Sequence, residues 1–347
     1  MRWVKNRKGF FILKIAMLAP IAWRTPPRHY GPWERIVSLV TEGLVKEGLD
    51  VTLFATGDSQ TAAKLIGVCQ TPYEEDRSID VKVWESMHIS EVMEHANEFD
   101  LIHNHYDFLP LTYSALIKTP MVTTIHGFSS EKILPVYQKY NKRTQYVSIS
   151  DADRSDQLDY IGTVYHGIDI ERFTMREKPG DYLVYFGRIH PDKGTKEAIE
   201  VARAAKMKLV LAGIIQDQAY YDECVKPYLN HDITYIGSVG PDARDRVLGH
   251  ALALLHPIGF NEPFGLTIVE AMACGTPVIA FKKGSMPEII TNGVDGFLVA
   301  NTAEMIERLQ DIKKIDRVIC RKTVEERFSQ KRMVKDYIEV YKKILLL

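Results

Sequence analysis

ALALLHPIGFNEPFGLTIVEAMACGTPVIAF, residues 251–281, divides into four pieces. ALALLHP is an apolar run of strand length and IGFNEPFG is a loop. LTIVEAMAC is long enough for a helix, Gly275 followed by Pro277 stops it, and PVIAF reads as a second strand. Strand, crossover helix and strand within about 30 residues make a βαβ unit, and so a parallel sheet. The helix also raises a question, because its apolar sequence carries Glu270, with Glu262 just ahead of it. Burying an unpaired carboxylate costs several kcal/mol. Thr267, Glu270, Ala271 and Cys274 share one face, while Leu266, Ile268, Val269 and Met272 cover the others. That stripe of small residues faces either solvent or a ligand whose hydroxyls donate to Glu270.

The same alternation extends in both directions. LKIAML (13–18), VTLFAT (51–56), DLIHNH (100–105), MVTTIH (121–126) and QYVSIS (145–150) form one series of strand-like runs. YLVYFG (182–187), KLVLAG (208–213), ITYIG (233–237), ALLHP (253–257) and PVIAF (277–281) form another. Amphipathic stretches separate them, which predicts two doubly wound parallel-sheet domains in tandem. With 347 residues, 46% of them hydrophobic, the chain can close two cores. FTMREKPGDY (173–182) has the composition of an exposed linker. The expected division is 1–170, 171–328 and a final helix over 329–347 packing back on the first domain. Met333, Tyr337, Val340, Tyr341 and Ile344 recur there at helical spacing.

Composition narrows the function. Lys plus Arg (44) and Asp plus Glu (45) nearly cancel, which argues against a nucleic-acid surface and favours a small molecule or glycan. Cys69, Cys224, Cys274 and Cys320 show no CxxC spacing, against a disulfide framework or zinc site and in keeping with a reducing cytosol. The N-terminal MRWVKNRKGFFILKIAMLAPIAW has a basic start and an apolar stretch, but Lys14 interrupts it and no A-x-A pattern follows, so it reads as a first strand rather than an export signal. Arg2, Lys5, Arg7 and Lys8 beside Phe10 and Phe11 leave peripheral contact with an anionic membrane face open.

In open α/β sheets ligands bind beyond the carboxyl ends of strands. Those ends carry His103, His105, His126, His166, Arg188 and His256, and the site is expected between the domains. Phe264, Gly265 and Leu266 stand at a helix start, where peptide N–H groups and the dipole favour phosphate. Phosphate there and a diol on Glu270 together indicate a nucleotide. In FGRIHPDKG, Arg188 and Lys193 are either solvated loop charges or a fork and a point charge for a diphosphate. Gly31 sits in a loop, TPPRHYGPWER, that can approach a phosphate or substrate. No G-x-G-x-x-G fingerprint accompanies it, which disfavours a nicotinamide dehydrogenase. His126 is either a substrate ligand or a satisfied structural histidine. HNHYD (103–107) has a weak metal-like spacing, and DAD (151–153) reads as helix capping with Ser150 and Asp153 in an S-x-x-D start.

With these residues assembled, the sequence resembles the retaining glycosyltransferases of family 4, whose GT-B fold has two facing Rossmann-like domains with an interdomain cleft. The resemblance covers nearly the whole chain and is strongest over 182–299. Glu262 and Glu270 match the family's E-x7-E pair, FGRIHPDKG its Arg and Lys segment, GSMPEIITNGVDGFLV (284–299) the stretch that follows, and HGIDIERF (166–173) its interdomain segment. The resemblance implies that Glu270 binds a ribose, that Arg188 and Lys193 bind the diphosphate, and that N–H groups at Phe264, Gly265 and Leu266 contact sugar or phosphate. It places Glu262 beside the transferred sugar and His126 near its hydroxymethyl group. Gly31-Pro32 replaces the family's paired glycines, and His166 replaces its interdomain asparagine.

The implied reaction moves a hexose from a nucleotide-diphosphate sugar, UDP-glucose or GDP-mannose, to a hydroxyl acceptor with retention. No metal and no cofactor is required. A saccharide, a small metabolite and a lipid-linked glycan all remain open as acceptor, with a cytoplasmic setting, peripheral at the inner membrane face or not. The alternatives are a nucleotide-sugar epimerase of the same fold and a non-catalytic sugar-nucleotide-binding protein.

Overall fold

The computed structural model describes residues 4–5, 11–128 and 131–346. The chain forms two compact units. One comprises 1–149, 154–167 and 330–347, and the other 150–153 and 168–329.

Among the described residues the first unit is built on seven strands: β1 (Lys14–Leu18), β2 (Asp50–Phe54), β3 (Lys64–Ile66), β4 (Leu101–Asn104), β5 (Met121–Ile125), β6 (Gln145–Ser148) and β7 (Tyr160–Thr163). They pair in the order β3-β2-β1-β4-β5-β6-β7, all parallel. Every residue of β4 and β5 is buried, as expected of parallel strands covered on both faces. The order reverses between β1 and β4, the switch point at which such sheets open a crevice. His105 and His126 each follow directly on a strand end, one beyond β4 and the other beyond β5.

The helix Pro32–Lys46 starts after Gly31, whose φ of 142° is open to glycine and strained for other residues, and Pro32 fits its first position. It buries Ile36, Val37, Val40 and Leu44. The helix Gln330–Leu345 packs on it through buried Met333, Val334, Tyr337, Val340 and Tyr341, and the Gln330 amide donates to the Leu39 carbonyl at 2.7 Å.

The second unit repeats the design with β8 (Tyr182–Phe186), β9 (Lys208–Ala212), β10 (Ile233–Tyr235), β11 (Ala253–His256), β12 (Val278–Phe281) and β13 (Gly296–Val299). Their order is β10-β9-β8-β11-β12-β13, again parallel. The helix Leu266–Ala273 crosses from β11 to β12, and Gly275 with φ 83° ends it. This is the βαβ unit that 251–281 predicts.

Two expectations are corrected. Residues 173–182 are no free linker, because the Thr174 N–H and the Arg176 guanidinium both bond Asp245 at 2.7 Å and the Gly180 N–H donates to the His250 carbonyl at 2.7 Å. The composition suits a linker, but the polar groups find partners inside the second unit. Ser150 and Asp153 do bond as S-x-x-D, the Asp153 N–H donating to Ser150 Oγ at 3.2 Å, yet no helix follows. The N–H groups of Asp151 and Ala152 donate instead to the Glu288 carboxylate at 2.8 and 2.7 Å.

Of the N-terminal basic and aromatic cluster, Arg2, Arg7, Lys8 and Phe10 lie outside the described residues, as do the side chains of Lys5 and Phe11. Among the described residues no helix is long and apolar enough to cross a membrane.

Candidate active site

In the second unit, the loops leaving β8 and β11 meet. The first runs through Arg188 to the turn Pro191–Lys193, and the second through Phe260 and Glu262 to the helix Leu266–Ala273. Their approach depends on glycine: Gly194 has φ 74°, and a Cβ there would lie 2.0 Å from the Pro257 carbonyl oxygen. The Gly259 N–H donates to the Asp192 carbonyl at 2.7 Å and ties the loops together. Lys193 Nζ consequently reaches Glu262 Oε2 at 2.5 Å and lies 4.5 Å from the Phe260 ring centroid. An ammonium has three donors, so one carboxylate does not exhaust Lys193. The Arg188 guanidinium bonds Gln216 and lies 3.5 Å from the Asp192 carboxylate. Both cations therefore have partners in the folded protein and are not merely solvated.

Glu270 is 4% exposed, and Ala271 and Cys274 are fully buried. The stripe of small residues faces inward, and its solvent reading falls. Arg244 Nη1 donates to Glu270 Oε1 at 2.8 Å, with the guanidinium 5.1 Å from the Phe186 ring centroid. A protein cation thus offsets much of the cost of the buried carboxylate, a task the sequence left to a ligand alone. Arg244 lies 26 positions from Glu270, on a separate helix, Pro241–Gly249, and no local spacing signals the pair.

Phe264 is a core residue: its ring is buried, packs edge-on to Phe328 at 5.8 Å, and its carbonyl accepts from the Ser285 hydroxyl at 2.8 Å. Gly265, at φ 95°, caps the helix that Leu266 opens. His256 ends β11 and is buried, and among the described residues its Nε2 has no hydrogen-bond partner. Burial holds its imidazole down to about 4, with Glu262 pulling upward and Lys193 downward. The sequence put His256 at a strand end but gave it no role.

In the first unit, Trp33 stacks on His126 at 5.3 Å and 21°. The Gly31 turn that aims this helix is tight, since a Cβ there would lie 2.8 Å from Pro27 Cβ. Next to Trp33, Glu34 is buried and accepts from the Trp23 N–H at 3.2 Å; burial pushes its carboxyl up to about 7. His126 Nε2 lies 2.8 Å from His105 Nδ1, and His126 Nδ1 lies 3.2 Å from His166 Nε2. Both ring nitrogens are committed, so a substrate hydroxyl bonds His126 only by replacing a histidine, more readily at the longer contact. His103 and His105 of HNHYD join this same chain, and Asp107 accepts from the Tyr137 hydroxyl at 2.5 Å. Among the described residues no group of three or more His, Cys, Asp or Glu side chains is placed to hold a metal ion.

A family model described as Glycosyl transferases group 1 matches residues 168–331, and one described as Glycosyltransferase Family 4 matches 34–172. The chain belongs to glycosyltransferase family 4. Its relatives include an uncharacterized glycosyltransferase of Methanocaldococcus jannaschii, 24% identical over 95% of this chain and 98% of that protein. A D-inositol 3-phosphate glycosyltransferase of Saccharomonospora viridis is 25% identical over 74% of this chain and 73% of its own. Among solved structures, Anabaena HepE in complex with UDP and glucose superposes with a TM-score of 0.71 at 19% identity, covering 95% of this chain and 100% of that one. Sucrose-phosphate synthase of Thermosynechococcus elongatus reaches 0.76 at 18% identity over 96% and 99%. The two Rossmann-like sheets of this family 4 glycosyltransferase are those of the GT-B fold, and its Glu262 and Glu270 stand on the loop and helix that join β11 to β12.

Proposed function

We propose that this glycosyltransferase transfers a hexose with retention from a nucleotide-diphosphate sugar to a hydroxyl acceptor. The observation that carries the reading is the grouping, at the carboxyl edge of one sheet, of Arg188, Lys193, Glu262 and the start of the helix bearing Glu270. The diphosphate takes the donors that Arg188 and Lys193 have beyond their carboxylate partners, together with the N–H groups of Gly265 and Leu266. Glu270, held by Arg244, accepts from the ribose hydroxyls. His256 Nε2 gains a polar partner from the donor, relieving a buried unsatisfied group that otherwise costs about 1–3 kcal/mol.

As the anomeric C–O bond breaks, its electron pair stays on the departing phosphate oxygen, where the two cations and the helix start stabilise the charge. The acceptor oxygen bonds the anomeric carbon from the same face, and its proton passes to the departing phosphate. Glu262, already paired with Lys193, stabilises the positive charge on the sugar. These protein cations do the work a metal does elsewhere, so the transfer rate is expected to be unchanged by EDTA.

UDP-glucose is the preferred donor on the likeness to HepE, with GDP-mannose next. The acceptor is a saccharide, a small hydroxylated metabolite or a lipid-linked glycan, and the setting is cytoplasmic. Thermal shift tests the donor site. UDP is expected to stabilise the wild type, and Glu270→Ala is expected to lose that shift, because only a ligand of the folded state raises its stability. A shift with NAD alone, or with no nucleoside diphosphate, would overturn the reading.

A further inference from the structure

Four histidines of the first unit form one hydrogen-bonded file. His166 Nε2 meets His126 Nδ1 at 3.2 Å, His126 Nε2 meets His105 Nδ1 at 2.8 Å, and His105 Nε2 meets His103 Nδ1 at 3.3 Å. The same His103 Nδ1 lies 2.7 Å from the Tyr341 hydroxyl. His103 Nε2 lies 2.8 Å from Thr124 Oγ1, which in turn lies 3.0 Å from the Tyr337 hydroxyl. All four rings are buried, and burial lowers the pKa of each, so every ring is neutral and carries one N–H. Burial likewise keeps the Tyr341 phenol protonated.

The proton count then sets the direction of the file. His103 Nδ1 has two neighbours, Tyr341 and His105, and each contact receives its own proton only if Nδ1 accepts from both. If Nδ1 carried the hydrogen, one proton would serve two contacts and the buried Tyr341 O–H would be stranded. With Nδ1 accepting, His103 donates from Nε2 to Thr124. His105 donates from Nε2 to His103, His126 from Nε2 to His105, and His166 from Nε2 to His126.

We infer that Tyr341, on the C-terminal helix, sets the tautomer of His126 through His103 and His105, making Nδ1 of His126 a hydrogen-bond acceptor. Tyr341, His103 and His105 are positioning residues for His126. Resting on the glycosyltransferase reading above, the consequence is selective: a substrate hydroxyl that replaces His166 at this nitrogen must donate its proton and cannot be answered by an N–H.

The phenol at position 341 is the discriminating group. In Tyr341→Phe the inverted file gives every remaining contact its own proton: Tyr337 donates to Thr124, Thr124 to His103, His103 from Nδ1 to His105, and so on outward. The original direction gives every remaining contact its own proton as well, so without Tyr341 nothing locks His103 Nδ1 as an acceptor and both directions of the file are populated. Tyr337→Phe removes a phenol from the same helix one turn away without favouring reversal, and controls for packing.

The experiment is nitrogen-15 NMR of ring tautomers in the full chain with labelled histidine and no ligand, so it does not depend on the enzyme reading. The wild type and Tyr337→Phe should show Nε2–H at 103, 105, 126 and 166, and Tyr341→Phe should show Nδ1–H alongside it. Nδ1–H at His126 in the wild type, or unchanged tautomers in Tyr341→Phe, would overturn the inference. With UDP-glucose as donor, Tyr341→Phe is also expected to raise KM about twofold, because about half of the molecules then lack the acceptor tautomer, with UDP affinity unchanged. An unchanged KM beside mixed tautomers would refute the substrate contact of His126 and leave the tautomer control standing.

Discussion

Glu262 and Lys193 meet at 2.5 Å, with side chains only 16% and 14% exposed, so removing the carboxylate outright leaves a partly buried ammonium alone. Glu262→Ala therefore mixes a stability loss with any catalytic one. Glu262→Gln keeps shape and one hydrogen bond to Lys193 while removing the charge that answers the developing cation of the sugar. It is expected to lower kcat by about 100-fold, the scale of one preorganised electrostatic contact, with UDP binding retained. Initial rates and a binding isotherm on the same preparation check this, and near-normal turnover would remove Glu262 from the transition state. Glu270 differs in kind. Its partner Arg244 comes from another helix, and the half-buried guanidinium pairs with the buried carboxylate before any nucleotide arrives.

Packing of the first helix on the last turns on one small residue. A Cβ at Gly43 would stand 2.3 Å from Val334 Cγ2, and a β-branched side chain has little rotamer freedom with which to move aside. Gly43→Leu is expected to destabilise the first unit by about 1–3 kcal/mol, as overpacking does. Adding Val334→Ala should restore part of that loss, and chemical denaturation of the single and double variants measures it. The same helix carries Tyr337 and Tyr341 to the histidines, so these variants should also disturb the ring tautomers if packing alone governs them.

The alternation of apolar runs predicts ten strands, and each has its counterpart. In the two parallel sheets the strands it misses are β3, β7 and β13, all at sheet edges; it also misses the short antiparallel pair Val4–Lys5 and Phe11–Ile12. An edge strand pairs on one side only and carries a shorter or mixed apolar run, and β7 is only half-buried throughout. The helix at 330–345 is legible from its period because one whole face is buried. Residues 173–182 mislead because Pro, Gly and charge mark a surface segment and say nothing of the Asp245 that anchors it.

For the molecule as a whole, acid sensitivity is built in. His88, His103, His105, His126, His166 and His256 are buried and held below the ordinary range, His88 and His256 at about 4 and His103 and His166 at about 3. Each binds a proton more readily unfolded, so stability falls as pH falls below about 6.5, by a little over 1 kcal/mol per histidine per pH unit. Five of the six are in the first unit. Against a typical stability of about 5–15 kcal/mol, that unit is expected to unfold between about pH 4 and 5.5. A native circular-dichroism spectrum at pH 3 would contradict this. Glu34 acts oppositely: its carboxyl, raised from 4.5 to about 7, sheds stability as pH rises between those values, and Glu34→Gln should remove that loss.

Sequence by itself determined the two parallel sheets, the βαβ unit at 251–281 and the family, because hydrophobic period, stop signals and the spacing of Glu262 and Glu270 are local properties of the chain. It also placed Arg188, Lys193, His126 and Gly31 at strand ends or helix starts, where such sheets bind ligands. Only the tertiary structure decided what each of these side chains touches. Arg244 on Glu270, Glu262 on Lys193 and Tyr341 behind the histidine file are contacts between residues 26, 69 and 238 positions apart. A buried charge or proton takes its state from whatever lies within a few ångströms, and that neighbourhood is set by how the elements pack.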